Sequence, residues 1–184
     1  MPEPSTLTTA RLVLRPFTAD DAPAAQAYVS DGELASTTAA IPHPYPEGGA
    51  ESWIATHARR HEAGEAVILA VTLRATGELA GSVEIRLVPV HRRAELGYWI
   101  GRPHWGRGYA TEASDALLRW AFDTLDLHRV HAAHLGRNPA SGAVLRKVGM
   151  RHEGRLRSHF PKWGVMEDLD VYGLLDGELP PRAG

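Results

Sequence analysis

Two glycines, Gly106 and Gly108, stand in the run Trp105-Gly106-Arg107-Gly108-Tyr109-Ala110-Thr111-Glu112, behind an apolar stretch and directly ahead of a helical pattern. With Gly101 just upstream, such a loop leaves backbone N–H groups bare and aims them, with the positive end of a helix dipole, at one point. Glycine permits both the positive φ and the close approach this requires. The chemistry that suits the loop is the binding of a pyrophosphate by Gly106, Gly108 and the backbone of Arg107, Tyr109, Ala110 and Thr111. The question is which phosphate-bearing cofactor lies there.

Two common answers fit poorly. Gly106-x-Gly108-x-x-Thr111 resembles a dinucleotide fingerprint with its third glycine lost, but that fold needs the loop after its first strand. Here three strand-like segments precede the one that leads into the loop. A nucleoside-triphosphate loop needs Gly-Lys-Ser/Thr, and this chain has Gly106-Arg107-Gly108.

The remaining reactive side chains narrow the classes further. The chain has no cysteine, which excludes a disulfide scaffold, a thiolate metal site and a cysteine nucleophile. His57 and His61 lie four apart on one helix, and His128, His131 and His134 cluster loosely. No glutamate follows His57 in the zinc-protease pattern and no third ligand is evident, so no metal is expected. The 184 residues carry a formal net charge of −2, which gives no reason to expect nucleic acid. Residues 1–11 lack the apolar core of a signal peptide, and no apolar run approaches the ~20 residues that span a bilayer. A cytoplasmic protein with no membrane contact is expected.

The elements that must position the loop follow from patterning. Residues 12–16 read as an opening strand ended by Pro16, and Thr18 or Asp20 can cap a helix to Val29. Residues 31–50 read as a long connection rich in Gly, Pro, Ser and Thr, and 50–62 as a helix ending before Gly64. Strands are expected at 66–73 and 79–87 around a turn at 74–77, then at 94–100. Behind the loop, Ala110, Ala113, Ala116, Leu117, Trp120 and Ala121 form an amphipathic stripe. A strand at 130–135 precedes Asn138-Pro139, a helix start with a capping side chain and proline at the first helical position. That helix runs to Val148 and ends at Gly149; strands at 150–160 and 167–174 close a mixed α/β order, with 179–184 a loose tail.

The segment from Trp105 to Ala113 resembles the acyl-CoA loop of the GCN5-related N-acetyltransferases (GNAT), especially the RimJ/RimL branch that acetylates ribosomal-protein N-termini. The family pattern is Gln or Arg, two residues, Gly, one residue, then Gly or Ala. Trp105, Gly108 and Ala110 occupy those positions, and Trp105 departs from the general pattern while matching that branch. The likeness extends to Thr9–Arg15, Asp20-Asp21-Ala22, Asn138–Ser141, Lys147–Met150, His152–Arg157 and Asp170–Leu175, in the family's order.

This resemblance implies one GNAT domain over 1–184: a mixed, mostly antiparallel sheet flanked by helices, with splayed central strands forming an acyl-CoA slot. It implies acetyl-CoA as donor, with Trp105 to Thr111 at the pyrophosphate and Tyr98, Trp99 and Ile100 beside the acyl and pantetheine arm. The same aromatic residues also suit a plain core strand. Asn138 has a complete role as a helix cap, to which the resemblance adds a bond to the arm. Ser141, three positions on, is implied as the group that protonates the departing thiolate. Glu95 shares a strand face with Gly97 and Trp99 and fits either removal of the acceptor's proton or a strand ion pair. Glu153 is a second candidate for that base. Arg146 and Lys147 fit either the 3′-phosphate of CoA or their own helix C-terminus.

The expected reaction is direct attack by a primary amine in a ternary complex, the acceptor being a protein N-terminus. A small-molecule amine, such as an antibiotic, polyamine or amino acid, is the rival acceptor. A non-catalytic acyl-CoA sensor is the rival class, and a homodimer is compatible with either.

Overall fold

The computed structural model describes residues 6–181. Eight strands form one sheet in the order β1-β2-β3-β4-β5-β6-β8-β7. β1 (Leu7–Thr8), β2 (Leu12–Arg15), β3 (Ala66–Leu73), β4 (Leu79–Val88) and β5 (Arg93–Ile100) make an antiparallel run. β6 (Arg129–Leu135) is parallel to β5, and β8 (Val165–Leu175) and β7 (Arg151–Lys162) follow antiparallel. A parallel neighbour needs a crossover, and α5 (Tyr109–Thr124) supplies it.

Burial explains the layers. β3 is Ala-Val-Ile-Leu-Ala-Val-Thr-Leu, buried along nearly its whole length, so it takes the middle of the run with helices on both sides. On one face Leu117, Leu118 and Ala121 of α5 pack with Leu69, Val83, Ile85 and Leu96, joined by Leu145 of α6 (Pro139–Lys147). On the other, α1 (Ala22–Val29) and α3 (Gly49–Ala55) bring Ala25, Tyr28 and Ala50 against Ala70, Leu79 and Trp99.

Several expected boundaries shift. The 31–50 connection contains a helix, α2 (Gly32–Thr37), started by the Asp31 side chain, which accepts from Glu33 N–H at 2.8 Å. The helix expected over 50–62 is two, α3 and α4 (His57–Glu62), meeting at Thr56. There the Thr56 hydroxyl bonds back to the Trp53 carbonyl at 2.7 Å and its N–H tightens onto the same carbonyl. The opening helix is preceded by a short 3₁₀ turn, whose capping box joins Thr18 and Asp21 rather than Asp20. The tail is docked further than expected: Leu179 packs on the core and the Pro180 carbonyl accepts from Arg119 at 2.7 Å, while 182–184 lie outside the described residues.

At the far edge of the sheet, β7 carries two register shifts, between His152 and Gly154 and between Leu156 and Phe160. Arg155 sits between them, opposite Asp170 on β8, and donates to both carboxylate oxygens (2.9 and 2.6 Å), with His152 Nε2 at 3.1 Å. The guanidinium and imidazole hold the Asp170 carboxyl down at about 2. A carboxyl depressed in the fold stabilises it above the unfolded value, near 3.9, and loses that contribution as pH falls toward the folded value. Asp170→Asn is therefore expected to lower Tm by about 4 °C at neutral pH. In thermal melts the gap to the parent closes between about pH 4 and pH 2.

Candidate active site

β5 and β6 pair over three positions only: Arg93 with Arg129, Ala94 with Val130, Glu95 with His131. Beyond this fork both strands continue unpaired to each other, and a cavity of about 930 Å³ occupies the split. Leu96 to Ile100 line one wall and Ala132 to Leu135 the other. Backbone polar groups on the facing edges have lost their ladder partners, so a ligand threaded between them meets ready donors and acceptors. The cavity passes through the sheet, from the loop and α6 on one face to Tyr45, Trp53 and residues 37–42 on the other.

At the first opening, Gly106 and Gly108 adopt φ of 74° and 79°. Gly108 is the N-cap of α5 and has no side-chain cap, so the first amides of this 16-residue helix face the opening. A Cβ on Gly106 would meet nothing within 4 Å. Bare amides, an uncapped dipole and open space suit a pyrophosphate. Trp105, Gly106, Gly108, Tyr109, Ala110 and Thr111 line the cavity as expected positions. Trp105 has an anchoring bond as well: its indole N–H donates to the Ile100 carbonyl at 2.6 Å and ties the loop to the end of β5. The Arg107 side chain does not line the cavity, and its carbonyl accepts from Arg11 at 2.8 Å, so only its backbone belongs to the loop.

Arg11 is a residue the sequence reading passed over. It reaches from the β1–β2 hairpin beneath the loop, lies 4.9 Å over the Tyr109 ring, and bonds the Glu112 carboxylate at 2.7 Å. Burial pushes the Glu112 carboxyl up, but bonds from Thr9 and Arg11 outweigh it and leave it below its ordinary value. With about a hundred residues between the partners, no local pattern could have announced this clasp.

Across the split, Tyr98 of β5 reaches α6. Its hydroxyl lies 2.7 Å from Ser141 Oγ and donates to the Ser141 carbonyl at 3.1 Å. Burial pushes the Tyr98 phenol up to about 12, so it stays protonated. Asn138 caps α6 by accepting from Ser141 N–H at 3.2 Å and donates to the Thr37 carbonyl at 2.9 Å, joining α6 to the end of α2. Lys147 lines the cavity, whereas Arg146 points to the other side of α6 and donates to Tyr172.

The opposite opening is where an acceptor would enter. Glu95 stands at the fork, bonded by Arg86 at 2.8 Å and 4.0 Å from His131. Glu84, next along β4 from Arg86 on the same face, lies across Gly97 and lines the cavity. Glu84 and Arg86 were missed, although polar residues at every second position of β4 (Ser82, Glu84, Arg86) were a readable signal. Glu153 lies outside the cavity, paired with Arg129, and does not belong to the site. Trp99 and Trp53 face each other at 6.4 Å, and Tyr45 adds a further aromatic wall. Lys162, buried on β7, holds the 37–42 segment through the carbonyls of Ala39 and Ile41 (3.3 and 2.6 Å).

Comparison with known proteins agrees with this geometry. The family model described as "Acetyltransferase (GNAT) domain" matches residues 11–151. The chain is 33% identical over 170 residues to the uncharacterized N-acetyltransferase YoaA of Bacillus subtilis, covering 92% of this chain and 96% of that protein. It is 29% identical over 99 residues to the ribosomal-protein-serine acetyltransferase of Escherichia coli, covering 53% and 55%. Among solved structures, Mycobacterium smegmatis RimJ in complex with CoA-disulfide superposes with TM-score 0.85 at 26% identity, covering 97% of this chain and 91% of that one. A split parallel pair beside an uncapped glycine loop, matched by that family model and those relatives, places the chain in the GNAT family as an N-acetyltransferase that uses acetyl-CoA.

Proposed function

We propose that this enzyme acetylates the N-terminal amine of a polypeptide by direct attack within a ternary complex, in the cytoplasm. The observation that carries the reading is the cavity that passes through the β5–β6 split and joins the glycine loop to a carboxylate-bearing acceptor opening. With no cysteine in the chain, an acyl-cysteine intermediate has no residue to form on. The polypeptide acceptor is supported by the kinship with RimJ and with the ribosomal-protein-serine acetyltransferase. The walls of Tyr45, Trp53 and Trp99 favour a second reading, a small amine with an apolar body.

The chain's own residues divide the work. Trp105 to Thr111 bind the pyrophosphate through backbone amides and glycine space, and Arg11, paired with Glu112, braces the loop from below. Tyr98, Trp99 and Ile100 present free β5 backbone groups to the pantetheine arm and the thioester carbonyl, which is polarised by donors aimed at its oxygen. The Asn138 cap fixes α6, and Ser141 supplies a proton to the departing thiolate, a modest aid because thiolates leave readily. At the acceptor opening a carboxylate removes the ammonium proton before the nitrogen attacks. Positioning of both substrates in one cavity supplies most of the acceleration.

Three outcomes test this. Free-thiol release from acetyl-CoA is expected with peptides of varied N-terminal residue; release only with small amines such as tyramine or spermidine replaces the polypeptide reading by the second. Gly106→Ala forces a side chain into a left-handed backbone facing the phosphates and is expected to weaken acetyl-CoA binding about tenfold by calorimetry. Ser141→Ala and Tyr98→Phe are each expected to lower kcat by about 2- to 10-fold with little change in acetyl-CoA affinity. A loss near a thousandfold would make thiolate protonation the dominant step.

A further inference from the structure

Two carboxylates face the acceptor opening, and their surroundings differ. Glu95 sits at the last paired position of the fork, where Arg86 donates to Oε1 at 2.8 Å and His131 Nε2 stands 4.0 Å from Oε2. Glu84 pairs across β4–β5 with Gly97, two residues beyond the fork and therefore beside the open part of the split. A Cβ on Gly97 would lie 2.8 Å from Glu84 Oε1 and 3.0 Å from its Cγ. The missing side chain makes the room in which this carboxylate lies, over a stretch of β5 whose outer edge is free.

Arg86 divides its attention unevenly. Its close bond goes to Glu95, while its Nε is buried, has no hydrogen-bond partner among the described residues, and stands 3.6 Å from Glu84 Oε1. Two carboxylates around one guanidinium leave one negative charge, enough for a single incoming ammonium.

We propose that Glu84, and not Glu95, is the catalytic base: it receives the acceptor's ammonium over Gly97 and takes its proton, while the Glu95–Arg86 pair at the fork positions it. This rests on direct attack by an amine as proposed above. The ammonium gives one proton to Glu84, which passes it to solvent through the acceptor opening. The freed lone pair forms the C–N bond, the C–S bond breaks with its pair on sulfur, and the nitrogen's second proton balances the thiolate's protonation. Acceptors bearing one positive charge fit this site; a polycation brings charge that nothing here offsets.

The test compares Glu84→Gln and Glu95→Gln in the full chain, using the acceptor that the parent turns over fastest in the thiol-release panel. Glu84→Gln is expected to lower kcat about 100-fold with acetyl-CoA affinity unchanged, whereas Glu95→Gln costs about 10-fold or less. With hydroxylamine, largely neutral at assay pH, the Glu84→Gln loss is expected to shrink to about 3-fold, a pattern that a merely structural role would not produce. Gly97→Ala, which displaces the carboxylate without removing it, is expected to lower kcat with acetyl-CoA binding retained, and serves if the glutamine variant fails to fold. Glu84→Gln within about twofold of the parent, or equal losses with both nucleophiles, overturns the role. A parent that binds acetyl-CoA but acetylates no amine removes the proposed reaction together with it.

Discussion

The structure depends on a ladder that stops early. β5 and β6 are the one parallel pair among the described strands, and their pairing ends at Glu95 and His131. Left to themselves, strands of this length would keep zipping, because each unpaired buried amide or carbonyl costs free energy. They are held apart at their far ends. β5 runs into Gly101, where the Tyr28 ring lies so close that a Cβ would come within 2.8 Å, and its last carbonyl is taken by the Trp105 indole. β6 runs into the turn that starts α6, which Asn138 ties to α2. Tyr98 reaches from β5 to Ser141 in the first turn of α6, the helix into which β6 leads.

The two openings of the cavity are braced by separate sets of bonds. The loop side leans on Arg11, which gathers the Arg107 carbonyl, the Tyr109 ring and the Glu112 carboxylate beneath the loop. The opposite side leans on Asn138 and Lys162, which hold carbonyls of the 37–41 segment, and on Arg102, which bonds Asp31 at 2.9 Å at the head of α2. Lys162 is nearly fully buried and gives its protons to backbone oxygens; burial pulls its ammonium below its ordinary value. A segment without a ladder of its own thus keeps its shape through side chains from three other elements.

What was legible in the sequence was what is local. The glycine loop, the Asn138 cap and the apolar strands each carry their signal within about ten residues, and the structure puts them where patterning placed them. The α2 helix was hidden because its six residues are too few for a periodic stripe, and only the Asp31 cap marks it. The break at Thr56 was hidden because a hydroxyl bonding back to its own helix leaves the polar pattern unchanged. The Arg11–Glu112 clasp and the Lys162 anchor join residues about a hundred positions apart, and no spacing rule reaches that far. Glu84 was different: the alternation along β4 displayed it, but which alternate face met the cavity was settled only by the register with β5.

The through-sheet course of the cavity has a consequence for traffic. The cavity reaches the α5–α6 face on one side of the sheet and the α1–α3 face on the other, so on the proposed reaction neither substrate blocks the other's door. On the proposed reaction the spent carrier backs out the way it came while the acetylated amine withdraws on the far side. Each product would then crowd its own precursor rather than the other substrate.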